Sequence, residues 1–86
     1  MNENKLGKAE IEDVQTLQFL NNKRQSLQMI LNNPPSELAV KACVDILSDV
    51  EAQISTWWQV AKVTYSLPSI DNVSIDFNSS EFFVTN

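Results

Sequence analysis

Hydrophobic residues recur every three or four positions along two long stretches of this chain, and that spacing indicates one face of an α-helix. In the first stretch, residues 8–32, the apolar stripe consists of Ile11, Val14, Leu17, Leu20, Leu27 and Leu31. In the second stretch, residues 36–65, the stripe is more regular and consists of Val40, Cys43, Leu47, Val50, Ile54, Trp57, Ala61 and Thr64. The second stripe has the spacing of a coiled-coil seam, so we predict two helices that pack along these stripes.

The short connection between the two stripes contains Asn33, Pro34 and Pro35. A residue that precedes proline is disfavoured in the α region, so this sequence ends the first helix. Either Asn33 or Ser36 then caps the second helix. Because a turn over residues 33–35 leaves little chain between the helices, they run in opposite directions as neighbours. The predicted fold is mainly α, an antiparallel, coiled-coil-like two-helix hairpin over residues 8–66.

The two ends of the chain lack the helical spacing. Residues 1–7 are mostly polar and show no period, so we expect a flexible lead-in. In the extended tail, residues 67–86, an apolar residue occupies every second position from Val73 to Phe77. This period of two, with a second apolar run over residues 81–85, predicts one or two short β-strands. The tail either folds back over the tryptophan end of the second helix or remains available to a partner.

One charged residue interrupts the first apolar stripe. Arg24 lies between Leu20 and Leu27, at a place where an apolar residue is expected. Folding the chain back at the turn places Arg24 roughly opposite Asp45 and Asp49. We therefore predict that Arg24 pairs with one of these carboxylates across the seam, and the alternative is a side chain that extends to solvent.

The charge of the chain argues against several kinds of partner. Its 86 residues carry a net charge of −5, and the six basic residues are scattered. Binding to nucleic acid requires clustered Lys and Arg, and an anionic membrane repels an acidic surface, so we expect neither partner. The first residues are polar, and no stretch approaches the roughly 20 apolar residues of a membrane helix, which favours a cytoplasmic location.

Few residues that could carry chemistry are present. The sequence has no histidine and a single cysteine, Cys43. This composition excludes Ser-His-Asp and Cys-His catalytic arrangements, an internal disulfide and the usual zinc ligand sets. Acidic pairs such as Asp45 and Asp49 share a helix face, but solvated helix faces commonly carry such pairs. We therefore expect no enzyme activity and no catalytic, cofactor-binding or metal-binding residues.

Large apolar residues outside the seam are the candidate binding residues, because aromatic side chains dominate protein interfaces. They are Trp58, Tyr65, Ile75, Phe77, Phe82 and Phe83. We predict a small acidic protein-binding module of the chaperone, adaptor or inhibitor type. It would act through a face of the hairpin and the tail, either on a protein with a basic surface or on a second copy in a homodimer. For Trp58, the alternative is an ordinary place at the edge of the core.

Two other functions fit the same sequence. The change of pattern at the end of the second helix also fits a precursor peptide, in which a dedicated enzyme modifies residues 66–86. A structural component of a phage or secretion assembly is a further alternative. An unmodified chain in its native host would exclude the first alternative, and assembly beyond a dimer would favour the second.

Overall fold

The fold combines two antiparallel helices with a three-stranded sheet that draws on both terminal segments. The computed structural model describes residues 5–68 and 72–85. Its elements in chain order are strand β1 (Lys5–Lys8), helix α1 (Ile11–Asn32), helix α2 (Glu37–Thr64), strand β2 (Val73–Asp76) and strand β3 (Glu81–Val84). The predicted fold class, a helical hairpin followed by short strands, is confirmed.

The turn between the helices lies at the two prolines. At the end of α1, the backbone N–H of Asn33 donates to the carbonyl of Ile30 at 3.2 Å. Of the two predicted caps, Ser36 begins α2, since its side-chain oxygen accepts a hydrogen bond from the N–H of Ala39 at 3.1 Å. The helices have 22 and 28 residues, which corresponds to lengths of about 33 and 42 Å. The last turns of α2 therefore need a covering element other than α1.

A Schellman motif turns the chain back at the end of α2. The N–H of Leu67 donates to the carbonyl of Lys62 at 2.9 Å, and the N–H of Ser66 donates to that of Val63 at 3.4 Å. Ser66 has a φ of 53°, the left-handed conformation that this motif requires. Leu67, the next residue, is buried. The chain therefore leaves the helix toward the core.

The sheet has the strand order β1-β3-β2, and both strand pairs are antiparallel. Strand β1 corrects the prediction of a flexible lead-in, because residues 5–7 belong to this strand. Residues 1–4 of that lead-in lie outside the described residues. Strand β1 has a single large apolar residue, Leu6, so no periodicity marks it in the sequence. It is a strand because it pairs with β3 from the other end of the chain.

Helix α1 consequently begins at Ile11 rather than at residue 8. Lys8 is the last residue of β1, and the N–H of Ala9 donates to the carbonyl of Ser80 at 2.7 Å. Gly7 has a φ of +129° and lies where the register between β1 and β3 is irregular. Residues with a Cβ atom rarely adopt this conformation, so the irregular step requires glycine.

One hydrophobic core links the helical seam to the sheet. Its buried residues are Ala9, Val14, Leu17, Leu20, Leu27, Cys43, Val50, Ile54, Ala61, Leu67, Ile75 and Phe82. Leu17, Val50 and Phe82 are the largest of the fully buried side chains. The core between the helices thus follows the two stripes read from the sequence, and Phe82 extends it to the sheet.

Candidate functional site

Phe82 is the centre of an aromatic cluster at the sheet end of the hairpin. Its side chain is 0% exposed, and its ring centroid lies 5.2 Å from that of Tyr65. The rings of Trp58 and Trp57 lie 6.0 and 6.2 Å from it. The tail therefore covers the tryptophan end of α2, which is one of the two arrangements that the sequence left open.

The positions of Ile75 and Phe82 correct the set of predicted binding residues. The two residues are cross-strand partners in the β2-β3 pair, and both side chains are buried in the core. Because side chains alternate across a sheet, the strand that directs Phe82 into the core directs Phe83 away from it. Neither Ile75 nor Phe82 offers the exposed surface that a binding anchor needs.

Tyr65 and Trp57 connect the end of α2 to the beginning of α1. The Tyr65 hydroxyl donates to the Asp13 carboxylate and accepts a hydrogen bond from the N–H of Glu10 at 3.0 Å. The indole N–H of Trp57 donates to the backbone carbonyl of Asp13 at 3.0 Å. Burial, together with the hydrogen bond to Asp13, raises the pKa of Tyr65 above its ordinary value. The polar end of this predicted binding residue is thus engaged within the chain.

Four of the predicted binding residues keep accessible surface at the sheet end. Trp58, Tyr65 and Phe83 are half-buried, and Phe77, in the turn between β2 and β3, is 37% exposed. Trp58 packs edge-on against Trp57, with ring centroids 5.0 Å apart. Partner binding by Trp58, Tyr65, Phe77 and Phe83 stays a prediction.

A groove of about 350 Å³ lies between the two helices beside Trp57. Its walls are mainly apolar and are formed by Thr16, Leu20, Ala52, Gln53, Thr56, Trp57 and Val60. A smaller hollow of about 70 Å³ adjoins this groove, because Trp57 and Val60 line both. The hollow extends to Asp13 and Tyr65. The groove therefore leads toward the aromatic cluster.

The broad side of the hairpin that contains the groove, which we call the groove face, carries further exposed residues. Thr16 on α1 and Val60 on α2 both line the groove, so their directions around the helix axes define this face. With about 100° of rotation per residue, the further residues project within about 60° of Thr16 or within about 40° of Val60. They are Phe19, Lys23, Ile30, Leu38, Ile46 and Asp49. Val60, which lines the groove, is 58% exposed, and Phe19, which lies outside the groove on the same face, is 65% exposed.

The opposite side of the hairpin is polar in its middle. It carries amide side chains on α1 and hydroxyl or acidic side chains on α2, among them Gln18, Asn21, Gln25, Glu51 and Ser55. Its exposed large apolar residues are Ile11, Met29 and Val44, which lie toward the two ends of the hairpin. The two broad sides of the hairpin therefore differ, and the groove face is the one with apolar surface at mid-length.

Arg24 does not form the predicted ion pair. The one ion pair among residues 5–68 and 72–85 joins Lys5 to Glu81 at 3.6 Å. Asp49 instead accepts a hydrogen bond from Gln53, one turn further along α2, at 3.1 Å. Asp45 is exposed, and Arg24 is half-buried at the edge of the seam. Neither Asp45 nor Asp49 therefore pairs with Arg24.

The groove was not anticipated from the sequence, although a signal for it exists. On α2, Leu38, Ala42 and Ile46 are spaced by four and lie on the same side as Val60, outside the main stripe. Phe19 likewise lies outside the stripe of α1. A second, weaker apolar stripe beside the seam is the pattern of a helix with two contact surfaces.

Comparisons with known proteins found no match to this chain among protein-family models, curated proteins or solved structures. Within the described part of the chain, no helix combines the length and apolar character needed to cross a bilayer. No group of three or more metal-binding side chains comes together among these residues either. The geometry of the groove face and of the aromatic end therefore carries the functional argument.

Proposed function

We propose that this chain is a small acidic protein-binding module without catalytic activity, and that the groove face is its main contact surface. The observation that carries the proposal is the apolar groove of about 350 Å³ flanked by the exposed side chains of Phe19 and Val60. Apolar surface grouped around a groove and rimmed by polar residues is typical of protein contact sites.

Covering the exposed apolar side chains of this surface would contribute favourable free energy to binding. A phenylalanine side chain buries about 150–250 Å² when fully covered, so covering the exposed part of Phe19 would contribute about 3 kcal/mol. The walls of the groove and Val60 would add to this contribution. Hot-spot residues of this kind, grouped at the centre of a contact, provide most of the affinity of protein complexes.

The charge of the chain favours a partner with a basic surface. Its net charge is −5, although the groove face itself carries one exposed basic residue, Lys23, and one exposed acidic residue, Asp49. Complementary charge accelerates association and suppresses wrong partners more than it raises affinity. Phe77 and Phe83 at the sheet end provide a second, smaller contact surface in the proposal. The proposed location is the cytoplasm, which cell fractionation would test.

The alternative of a precursor peptide has less support. A modifying enzyme needs access to an extended segment, whereas β3 lies between two other strands and Phe82 is fully buried. Modification of the buried residues of β2 and β3 would therefore require the sheet to open first.

A capture experiment with two matched valine variants tests the proposal. Val60 and Val44 both lie on α2 and are 58% and 49% exposed, but only Val60 is on the groove face. The tagged full-length chain, Val60→Asp and Val44→Asp would be expressed in the native host, and the captured proteins would be identified by mass spectrometry. We expect Val60→Asp to lose the partner and Val44→Asp to retain it. Equal capture by both variants, or no captured protein at all, would refute the proposal.

A further inference from the structure

The chain exposes more surface than a compact protein of its size. Its accessible surface is 6007 Å², which is about 900 Å² above the value expected for 9.7 kDa. Its radius of gyration is 15.3 Å, whereas a compact domain of this length has about 12 Å. A stable protein interface buries about 800 Å² on each partner. The excess accessible surface of one chain is thus similar to the area that one chain buries in a stable dimer interface.

We propose that the groove face docks a second copy of this chain, so that two hairpins form a four-helix bundle. The inference rests on the proposed role of the groove face as a protein contact surface and assigns a second copy to that face, in place of a partner with a basic surface. In the arrangement we propose, the two-fold axis runs parallel to the helices. Helix α1 of each copy then lies across from α2 of the other copy, at the same level along the bundle.

Phe19 is placed so that each copy can cover helix α2 of the other. Leu20 and Gln53 line the same groove, so the neighbouring Phe19 lies near the level of Gln53. Phe19 projects about 60° from Thr16, on the side away from the buried Leu20, so across the proposed axis it packs against the outer side of the partner's α2. Apolar side chains that pack between neighbouring helices are the usual contact of helical bundles.

The charges on the groove face are complementary in the same arrangement. The contact between Asp13 and Trp57 fixes the level of the two antiparallel helices. Ten residues further along α1, Lys23 therefore lies at the level of Leu47 on α2, about 3 Å along the helix from Asp49. Lys23 and Asp49 are both exposed on the groove face, one basic and the other acidic. Each Lys23 would face Asp49 of the other copy, which gives the dimer two complementary charge pairs.

Sedimentation equilibrium of the purified full-length chain is the first test. We expect a mass near twice 9.7 kDa that falls toward 9.7 kDa on dilution. Val60→Asp and, independently, Phe19→Ala should each weaken self-association by at least about a hundredfold, because each change occurs twice in the dimer, while Val44→Asp should leave it unchanged. Circular dichroism of each variant ensures that a loss of dimer does not reflect a loss of fold.

A charge exchange tests the arrangement itself. Lys23→Glu alone and Asp49→Lys alone should each weaken self-association about tenfold or more, because each homodimer then has two pairs of like charges. In an equimolar mixture of the two variants, however, both cross-chain pairs of the heterodimer are complementary. We expect the mixture to regain wild-type association. A charge pair within one chain cannot be repaired by mixing, so failure of the mixture to dimerise would overturn the proposed arrangement.

The remaining outcomes separate this inference from the proposed function. A chain that is monomeric at concentrations up to about 1 mM would overturn the inference, since weaker association is not specific. If the same chain still captured another protein in a Val60-dependent manner, the proposed function would stand. A dimer that Val60→Asp does not weaken, or a mass that keeps rising beyond two copies, would also overturn the inference.

Discussion

Replacement of Phe82 by alanine is the substitution for which the structure predicts the largest effect. The Phe82 side chain is fully buried, and its ring packs against the rings of Trp57, Trp58 and Tyr65. It is the residue through which the tail is joined to the helices. Its loss would leave a cavity at the point where β3, α2 and the beginning of α1 meet.

The expected cost is large relative to the stability of the chain. Truncation of a buried phenylalanine to alanine destabilises proteins by about 3–5 kcal/mol, through lost burial and through the cavity that remains. A domain of 86 residues has a total free energy of unfolding of about 4–13 kcal/mol. We therefore expect Phe82→Ala to remove a large fraction of this free energy, and to unfold the protein at 25 °C if the total lies at the lower end of that range.

Urea unfolding provides the assay, with two signals followed in parallel. Circular dichroism reports the helices, and tryptophan fluorescence reports Trp57 and Trp58 beside the cavity. The matched control is Phe83→Ala, because Phe83 is the next residue in β3 but is half-buried and points away from the core. We expect the control to cost at most about 1 kcal/mol, as is usual for partly exposed positions. Similar losses for the two variants, or a loss below about 1 kcal/mol for Phe82→Ala, would refute the packing described above.

Three further predictions concern the helix ends. Tyr65→Phe removes the hydrogen bonds to Asp13 and to the N–H of Glu10, so we expect a loss of about 1 kcal/mol in urea unfolding, and an unchanged midpoint would contradict the proposed link. Because the pKa of Tyr65 is raised in the folded chain, stability should be constant below the ordinary tyrosine pKa of about 10 and should decrease as the pH rises above it. Tyr65→Phe should reduce this alkaline loss, and equal pH profiles for the two proteins would argue against the effect. Ser66→Gly relieves a left-handed serine and should raise stability by about 0.5–1 kcal/mol, which a thermal melt would detect, whereas a lower melting temperature would contradict this reading of the turn.

The helical hairpin could be predicted from the sequence because its determinants are local. The apolar stripes, the two prolines and the Ser36 cap all act within a few residues of the element they define. The stripe of α2 gave the correct seam, and the helix ends at Asn32 and Thr64 agree with the expected boundaries. The start of α1 was wrong by three residues, because Lys8 is drawn into a strand by a partner far along the chain.

The wrong predictions share one physical cause. Each concerns a feature that depends on contacts between parts of the chain that are distant in sequence. Strand β1 exists only because β3 is beside it, and its own sequence contains no alternation. Phe82 and Phe83 are identical in type and adjacent, so only the orientation of the sheet decides that one is core and the other is accessible. Arg24 was expected to pair with Asp45 or Asp49, but the packing of the helices brings neither carboxylate within ion-pair distance of it.

The groove face could not be predicted from helical periodicity alone. Periodicity identifies the residues of the main stripe, and these do form the core. It does not show how far the two helices separate beside that stripe, and this separation decides whether Leu20 and Trp57 meet or leave a groove. The surface on which the functional proposal rests is therefore a product of packing.

Photocrosslinking in the native host tests most directly whether the groove face contacts protein. A photoreactive amino acid would be placed at position 60 in one protein and at position 44 in another, and adducts formed in living cells would be separated by mass and sequenced. The groove lies beside position 60, so we expect a discrete protein adduct there and none at position 44. An adduct at position 44 alone, equal adducts at both positions, or none at either would contradict a binding role for this face.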